Sequence, residues 1–262
     1  MIGPLPYIGG KRRLAPTIIS VLPEHTTYVE PFAGGAQVFF HKAPSRVEVL
    51  NDLDGELVNF LRICQSHHQE LARWLKYAAA SRHLFSTFSQ QDPVSLTDIQ
   101  RAARFLYLQK NCFGGRRHHR SFRYAVSRPL HFRADRLPEL LDQTARRLLQ
   151  VQIEQLPYEQ ILSRYDRPST VFYCDPPYQG LTLYQHNLAD EQFGQLAVRL
   201  AKLQGRFLLS VNDTPTTRQA FASFERHEVS LSYSSSRVSP RVTELLFANF
   251  PLRLESLEAH VA

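Results

Sequence analysis

The chain of 262 residues contains few cysteines, and they form no recognisable metal or disulfide pattern. Cys64, Cys112 and Cys174 are widely spaced, with no Cys-x-x-Cys pair and no histidine at a ligand spacing from any of them. This spacing argues against a disulfide framework and against structural zinc. We therefore expect a protein of a reducing cytoplasm that binds no metal.

Long apolar runs are also missing. No stretch approaches the roughly 18 consecutive apolar residues of a membrane-spanning helix, and residues 1–10 have neither a charged leader nor a long apolar segment. We expect a soluble, unexported protein without a membrane partner. A hydrophobic content of 43% with 21% charged residues is typical of a globular chain. Its length suits one substantial core or a main domain with a smaller insert.

Acidic residues are absent from one long segment. Between Asp98 and Asp135 there is none, whereas nine arginines and lysines occur there. Because the whole chain carries +7, removing these nine charges leaves about −2 for the remainder. An excess confined to one segment favours a polyanion-binding surface over general solubility. A solvated basic face is the alternative interpretation.

A stiff polar turn follows one of the apolar runs. Residues 171–174 predict a buried strand, and Asp175-Pro176-Pro177-Tyr178 comes directly after it. Two prolines fix the turn and remove two backbone donors. The Asp175 carboxylate and the Pro176 carbonyl could hold both hydrogens of a nucleobase amine, while Tyr178 stacks on the base. Alternatively the turn only ends a strand, with Asp175 solvated and Tyr178 covering the core.

Two further strand ends predict a pocket for an adenosine-type ligand. The strand ending at Glu30 passes through Gly34-Gly35 into a helix, and a second short strand ends at Asn51-Asp52. An acidic residue about 20 positions beyond a glycine loop is placed to accept hydrogen bonds from ribose hydroxyls. The Gly-x-Gly-x-x-Gly pattern is absent, so a dinucleotide is not indicated. We expect Glu30, Gly34 and Asp52 to line one pocket.

The chain opens on a glycine turn, Tyr7-Ile8-Gly9-Gly10-Lys11, followed by an apolar pattern that predicts a helix with Pro16 near its start. Glycines permit close approach of the backbone to a ligand, and Lys11 could meet a carboxylate or a phosphate. A turn with a solvated lysine is an equally good interpretation.

Residues 55–150 have mostly helical periodicity, with apolar stripes that include Trp74 as an expected core residue. Thr97 and Gln100 form a capping box that opens one of these helices. A loop or hairpin rich in glycine, arginine and aromatic residues follows it, of a kind able to enter a nucleic-acid groove. The DNA contacts that we predict are Lys110, Asn111, Phe113, Arg116, Arg117, His118, Arg120 and Arg123.

Strand patterns resume at residue 151. We expect Asp190 to cap a helix that stops at Gly205, and residues 229–233 and 243–250 to form a closing hairpin. Strands alternating with helices imply an α/β fold with a mostly parallel sheet of about seven strands, one of them reversed.

These segments together resemble the Dam-type family of S-adenosylmethionine-dependent DNA adenine-N6 methyltransferases. The resemblance rests on the order of five motifs: the glycine turn ending at Lys11, the loop 29–35, Asn51-Asp52, the segment 111–115 and the tetrapeptide 175–178. It implies a Rossmann-like catalytic domain formed by residues 1–54 and 151–262. It also implies an inserted, mainly helical recognition domain with a hairpin loop, residues 55–150.

The resemblance also implies the roles of individual residues. S-adenosylmethionine would be the cofactor, and double-stranded DNA the partner. Asp175 and Pro176 would hold the adenine N6 amine, with Pro177 completing the loop and Tyr178 stacking on a flipped base. Direct methyl transfer would need no metal or further cofactor. The implied cofactor-binding residues are Tyr7, Lys11, Glu30, Pro31, Phe32, Ala33, Gly34, Gly35, Asp52 and Asp175.

The sequence departs from the family at two places. Members that read GATC typically have Asn-Gly-Leu and then Arg in the hairpin, where this chain has Gly114-Gly115-Arg116-Arg117-His118. Where the family often has Asp-Phe, this chain has Leu156-Pro157-Tyr158. The variant looks more like prophage-encoded relatives, so we expect an altered or relaxed sequence preference.

Two alternatives stay open at this level. The substrate could instead be RNA adenine or the N4 amine of cytosine, or the chain could be a catalytically inactive nucleic-acid-binding module. The recognition sequence and any partner restriction enzyme are not readable from the sequence, and a monomer is our expectation for the oligomeric state.

Overall fold

The computed structural model describes residues 3–6, 11–112, 121–123, 132–180, 187–232 and 241–252. Seven strands form one sheet, namely β1 (Thr27–Glu30), β2 (Val47–Asn51), β3 (Gln152–Glu154), β4 (Thr170–Cys174), β5 (Arg206–Asn212), β6 (Glu225–Ser232) and β7 (Arg241–Ala248). The α-helices of the described residues are α1 (Ala15–Val21), α2 (Gln37–His41), α3 (Gly55–Ser66), α4 (His68–Leu75), α5 (Arg82–Gln90), α6 (Asp98–Asn111), α7 (Leu137–Leu148), α8 (Tyr158–Tyr165), α9 (Asp190–Leu200) and α10 (Pro215–Ala220). None of them is long and apolar enough to cross a membrane.

The sheet has the strand order β3-β2-β1-β4-β5-β7-β6. The first five strands in this order are parallel, and β7 is antiparallel to both of its neighbours. Chain order reverses between β1 and β4, which lie side by side. In open α/β sheets a crevice forms at such a reversal, outside the carboxyl ends of the strands. The loops that follow Glu30 and Cys174 therefore leave the sheet next to each other.

Helices cover both faces of the sheet, because side chains of successive strand residues point to opposite faces. Tyr28, Leu50 and Tyr173 belong to the core shared with α1 to α7. Val29, Val49 and Phe172, each adjacent to one of those residues in sequence, belong to the core on the side of α8 and α9. This double burial explains why most of β4 and the centre of β5 are apolar runs without alternation.

The helices of residues 55–150 pack directly against the first of these cores. Phe60 and Phe105 of this region belong to the same cluster as Phe39 of α2. Arg147 of α7 adds a polar contact: its guanidinium pairs with Glu48 of β2 and donates a 2.9 Å hydrogen bond to the Phe39 carbonyl. The inserted helices are thus joined to the sheet by apolar and charged contacts, whereas their status as a separate domain stays a prediction.

The predicted fold is confirmed. The mostly parallel seven-stranded sheet, the single reversed strand and the terminal hairpin are all present. The Thr97 capping box opens α6 as expected, since Thr97 accepts from the Gln100 amide and Gln100 accepts from the Thr97 amide.

Two local predictions are wrong. Trp74 keeps 43% of its surface exposed, because α4 turns Leu71 and Leu75 inward and leaves Trp74 at the edge. Helix α9 ends at Leu200, before Gly205. Its N-cap residue is Ala189, whose amide donates to the Gln192 side chain, and Asp190 is the first residue of the helix.

Candidate active site

Lys11 organises a buried charge cluster at the carboxyl ends of the strands. Its Nζ lies 2.8 Å from Asp175 Oδ1 and 3.5 Å from Glu244 Oε2, and it donates to the Tyr178 hydroxyl. The same ammonium lies 4.5 Å from the centroid of the Tyr178 ring. The Lys11 side chain is 3% exposed, and burying a charge is costly unless it is paired. Residues far apart in the sequence thus meet around one cation.

Strand β5 fixes the orientation of Asp175. Ser210 donates a 3.1 Å hydrogen bond to Asp175 Oδ1, and the Ser210 hydroxyl is itself 2.9 Å from the Tyr173 hydroxyl. Lys11 and Ser210 therefore both contact the same carboxylate oxygen. Asp175 Oδ2 is the oxygen that this arrangement leaves for a further donor, and the side chain keeps 22% of its surface exposed.

The chain after the tetrapeptide is tied to the same strand. Asn212 accepts from the Gln179 amide and donates to the Gln179 carbonyl, both at 3.1 Å. Gly180 follows with φ of +77°, a conformation that L side chains rarely adopt. These contacts hold the loop over the end of β5.

Glu244 was not among the residues predicted for the site. It lies in β7 opposite Asn212 of β5, and its side chain is fully buried. The sequence contains a signal that would have found it, since Glu244 precedes the apolar run Leu245-Leu246-Phe247 in a predicted strand. A carboxylate in a buried strand requires a partner, and a lysine is the simplest one.

Burial sets the protonation behaviour of this cluster. It raises the pKa of Asp175, the nearby Glu244 charge acts in the same direction, and the Lys11 ammonium opposes both. Burial also raises the pKa of Tyr178 well above its usual value, helped by the charges of Asp175 and Glu244. Tyr178 is therefore a neutral phenol at ordinary pH, and Asp175 is a stronger base than a solvated aspartate.

The second part of the site is the glycine loop after β1. The Gly34 amide donates a 2.9 Å hydrogen bond to Asp52 Oδ2, and the Asp54 amide donates a 2.9 Å bond to Asp52 Oδ1. Gly34 has φ of +48°, in the left-handed region that glycine enters without strain. The predicted neighbours Gly34 and Asp52 are thus in direct contact.

Asn51, at the end of β2, is bonded to the segments that follow β1 and β3. Its side-chain amide donates to the Pro31 carbonyl at 2.8 Å and to the Leu156 carbonyl at 2.9 Å. Its oxygen accepts from the Leu156 amide at 2.8 Å. Leu156, one of the departures from the family pattern, is held through its backbone. Asn51 therefore fixes the loops after β1 and β3 relative to each other.

Glu30 lies beneath the glycine loop. It is 2% exposed, and its Oε1 accepts from the Tyr28 hydroxyl at 2.8 Å and from the Phe39 amide at 2.9 Å. Burial raises the pKa of Glu30 to about 8 despite these two hydrogen bonds. Ala33 is similarly buried and donates its amide to the Asn51 carbonyl. Contact of Glu30, Ala33 and Gly35 with a cofactor stays a prediction.

A cavity of about 480 Å³ connects the two parts of the site. Its lining includes Pro31, Phe32, Gly34, Asp52, Asp175 and Pro177 of the predicted residues, together with Leu53, Asp54, Pro157, Tyr158, Glu159, Asn187, Leu188 and Gln192. The Phe32 and Tyr158 rings are 5.2 Å apart between centroids. Tyr158 belongs to the second departure from the family pattern, so the replacement contributes an aromatic wall. The volume lies within the range of small-molecule sites.

The predicted DNA contacts are described only in part. Asn111 is 1% exposed and donates to the Tyr107 carbonyl, so the structure does not place its side chain on the surface. Burial lowers the pKa of Lys110 to about 8. The Arg123 amide donates a 2.7 Å bond to the Asn111 carbonyl, and Cys112 and Phe122 form an antiparallel bridge. Residues 111–112 and 122–123, which flank part of the basic segment, therefore lie next to each other.

Several predicted residues lie outside the described part of the chain. These are Tyr7, Phe113, Arg116, Arg117, His118 and Arg120. Across the described ranges there is no group of three or more His, Cys, Asp or Glu side chains able to hold a metal ion.

The chain is similar to known methyltransferases. The model of the D12 class N6 adenine-specific DNA methyltransferases matches residues 7–235. A Type II methyltransferase of Lactococcus lactis subsp. cremoris is 23% identical over 93% of this chain and 94% of its own length. A DNA adenine methylase of Vibrio cholerae is 28% identical over 89% of each chain. Among solved structures, an rRNA methylase from Streptococcus thermophilus covers 90% of this chain and 92% of its own at 10% identity, with a TM-score of 0.35, too low to carry an argument.

Proposed function

The chain belongs to the D12 class of N6 adenine-specific DNA methyltransferases. We therefore propose that the protein methylates the N6 amine of an adenine that is extruded from duplex DNA and bound at the Asp175 loop. One observation carries the assignment: Asp175 and Pro177 line the same cavity as Gly34 and Asp52. The turn and the predicted adenosine pocket are therefore two walls of one space. Extrusion is required because a stacked, paired base cannot present its amine to such a cavity.

S-adenosylmethionine is the methyl donor of the family, and the residues present fit it. Asp52 offers a carboxylate for ribose hydroxyls, and Phe32, Leu53 and Pro157 supply apolar walls for a purine. The left-handed Gly34 leaves its backbone open to close approach. When bound, this group supplies an electrophilic methyl.

Asp175 activates the amine by accepting one of its hydrogens. Lys11 and Ser210 both contact Oδ1, which orients Oδ2 towards the substrate. The Pro176 carbonyl accepts the second hydrogen, because the two prolines hold that carbonyl in a stiff turn. Held in this way, the nitrogen lone pair turns out of conjugation with the ring. After transfer the nitrogen carries one proton too many, and the raised pKa of Asp175 suits it to take that proton.

The test is transfer of labelled methyl groups from S-adenosylmethionine to unmethylated duplex DNA by wild-type protein and Asp175→Asn. We expect label in N6-methyladenine after hydrolysis to nucleosides, and a loss of roughly 1,000-fold or more in the variant, because a general-base contact and a fixed acceptor are both removed. The control is Asp213→Asn, which changes an exposed aspartate paired with Arg218. Label in another nucleoside, or full activity of Asp175→Asn, would contradict the assignment.

We also propose that the sequence preference is relaxed relative to GATC-reading members. The support is the sequence Gly114-Gly115-Arg116-Arg117-His118, where a base-reading pattern is replaced by arginines. Arginine contacts to phosphates raise affinity without carrying sequence information directly.

A further inference from the structure

We propose that Glu244 is a positioning residue for methyl transfer, which shares the Lys11 ammonium with Asp175 and so preserves the strength of Asp175 as a hydrogen-bond acceptor. The inference rests on the proposed function, and it assigns a task to a residue that never touches the substrate amine.

The geometry places one cation between two carboxylates. Lys11 Nζ is 2.8 Å from Asp175 Oδ1 and 3.5 Å from Glu244 Oε2. Glu244 is fully buried, whereas the Asp175 side chain is 22% exposed. Only Asp175 reaches the cavity; Glu244 is absent from its lining. The two carboxylates therefore have different positions, one facing the substrate and one behind the cation.

Charge explains why the second carboxylate matters. If Lys11 were paired with Asp175 alone, the ammonium would withdraw electron density from the Asp175 carboxylate. The hydrogen bond from the substrate amine to Asp175 would then be weaker. A buried carboxylate on the other side of the ammonium offsets that pull, because charges interact strongly where water is excluded. Glu244 also forms a side-chain hydrogen bond with Tyr178, whose hydroxyl accepts from Lys11.

Other titratable or polar groups near Asp175 are the same in the wild type and in a Glu244 variant. They are Glu30 from β1, Tyr173 and Cys174 from β4, Ser210 from β5 and Tyr178 from the catalytic loop. Because Asp175 must be ionised to accept a hydrogen, activity falls on the acid side of its titration. Anything that lowers the pKa of Asp175 moves this acid limb to lower pH.

The experiment measures kcat against pH for Glu244→Gln, a change of nearly equal shape. We expect kcat on the plateau to fall by up to roughly tenfold, since one pKa unit corresponds to about a factor of ten. We also expect the acid limb to move to lower pH by up to about one unit. The dissociation constant for S-adenosylhomocysteine, measured by calorimetry, should stay within about twofold, because Glu244 does not line the cavity.

A second variant, which removes the positive charge, separates an electrostatic role of Glu244 from an effect on folding. Lys11→Met removes the cation and should move the acid limb to higher pH, whereas the double variant Lys11→Met/Glu244→Gln should return it towards the wild-type position. A purely structural role of Glu244 would lower kcat and the melting temperature without moving the limb in either direction.

Glu228→Gln is the matched control, since Glu228 lies on the adjacent strand β6 in an exposed pair with Arg218. It should leave both kcat and the limb unchanged. Wild-type plateau activity in Glu244→Gln, or an unmoved limb, overturns the inference and leaves the proposed function intact. Absence of methyl transfer by the wild-type protein would instead defeat the proposed function.

Discussion

Glu30 shows at the scale of one residue how burial of a carboxyl group beneath the glycine loop makes folding stability depend on pH. Burial raises its pKa to about 8, so the folded protein holds a proton that the unfolded chain has already released above its usual pKa of 4.5. The native state then binds more protons than the unfolded state, and stability must fall as pH rises through this window. The stabilising contribution is complete below pH 4.5 and lost above about pH 8.

We therefore expect the free energy of unfolding to fall by roughly 3 to 4 kcal/mol between about pH 5 and pH 8, since one pKa unit is worth about 1.4 kcal/mol. Glu30→Gln should remove this part of the pH dependence, because its amide never ionises. Urea unfolding of the cofactor-free protein at several pH values measures the effect. The exposed Glu24→Gln should behave as the wild type, and parallel curves for Glu30→Gln and wild type would disprove the explanation.

Helix α7 shows what one element contributes to the attachment of the inserted region. Burial alone would raise the pKa of Glu48, but hydrogen bonds from Arg147 and Lys42 lower it below its usual value. The Arg147 side chain is 11% exposed, Glu48 is 4% exposed, and the guanidinium also lies 3.6 Å from the Phe39 ring. Lys42 contacts the same carboxylate at 2.7 Å. A buried triad of this kind is sensitive to loss of one member.

Arg147→Ala is expected to lower the free energy of unfolding by about 3 to 5 kcal/mol, because it removes one partner from a buried ion pair and the cation above Phe39. The neighbouring Arg146 is a natural control: its side chain is 79% exposed and pairs with Asp142 on the same helix. Arg146→Ala should cost no more than about 1 kcal/mol. Equal losses in the two variants, measured by denaturant unfolding, would show that the triad does not anchor α7.

At the scale of the whole molecule, the excess positive charge and the candidate active site lie in different segments of the chain. Nine basic residues and no acidic residue lie between Asp98 and Asp135 in the sequence, while the rest of the chain is close to neutral. This segment includes α6, and just beyond the end of α6 Cys112 pairs with Phe122. DNA affinity should accordingly depend on the inserted region, and methyl transfer on the sheet.

Mapping methylated adenines on a random-sequence DNA library should give a weak consensus, with many flanking sequences modified at rates within about tenfold of each other, because phosphate contacts do not distinguish bases. Replacing Arg116 and Arg117 by Gln should weaken DNA binding about equally for all sequences and reduce its dependence on salt. A sharp GATC consensus in the library would contradict the relaxed preference.

The sequence by itself determined the fold class and the two ends of the cavity. Buried parallel strands leave continuous apolar runs, and the turns after them carry Gly34, Asp52 and Asp175 at recognisable spacings. Local capping also follows from nearby residues, as Thr97 and Gln100 show. Trp74 was misplaced because helical periodicity alone does not say how far a neighbouring helix covers a stripe.

Only the tertiary structure decided which side chains surround Asp175. Lys11, Ser210 and Glu244 are separated by tens to hundreds of positions, and their meeting depends on the register of β5 against β7 and on the approach of the N-terminal segment. A lone lysine or glutamate in a sequence has no visible partner. Strand pairing supplies it, because an antiparallel neighbour brings Glu244 opposite Asn212, at the end of β5 that contacts Gln179 just after the catalytic loop.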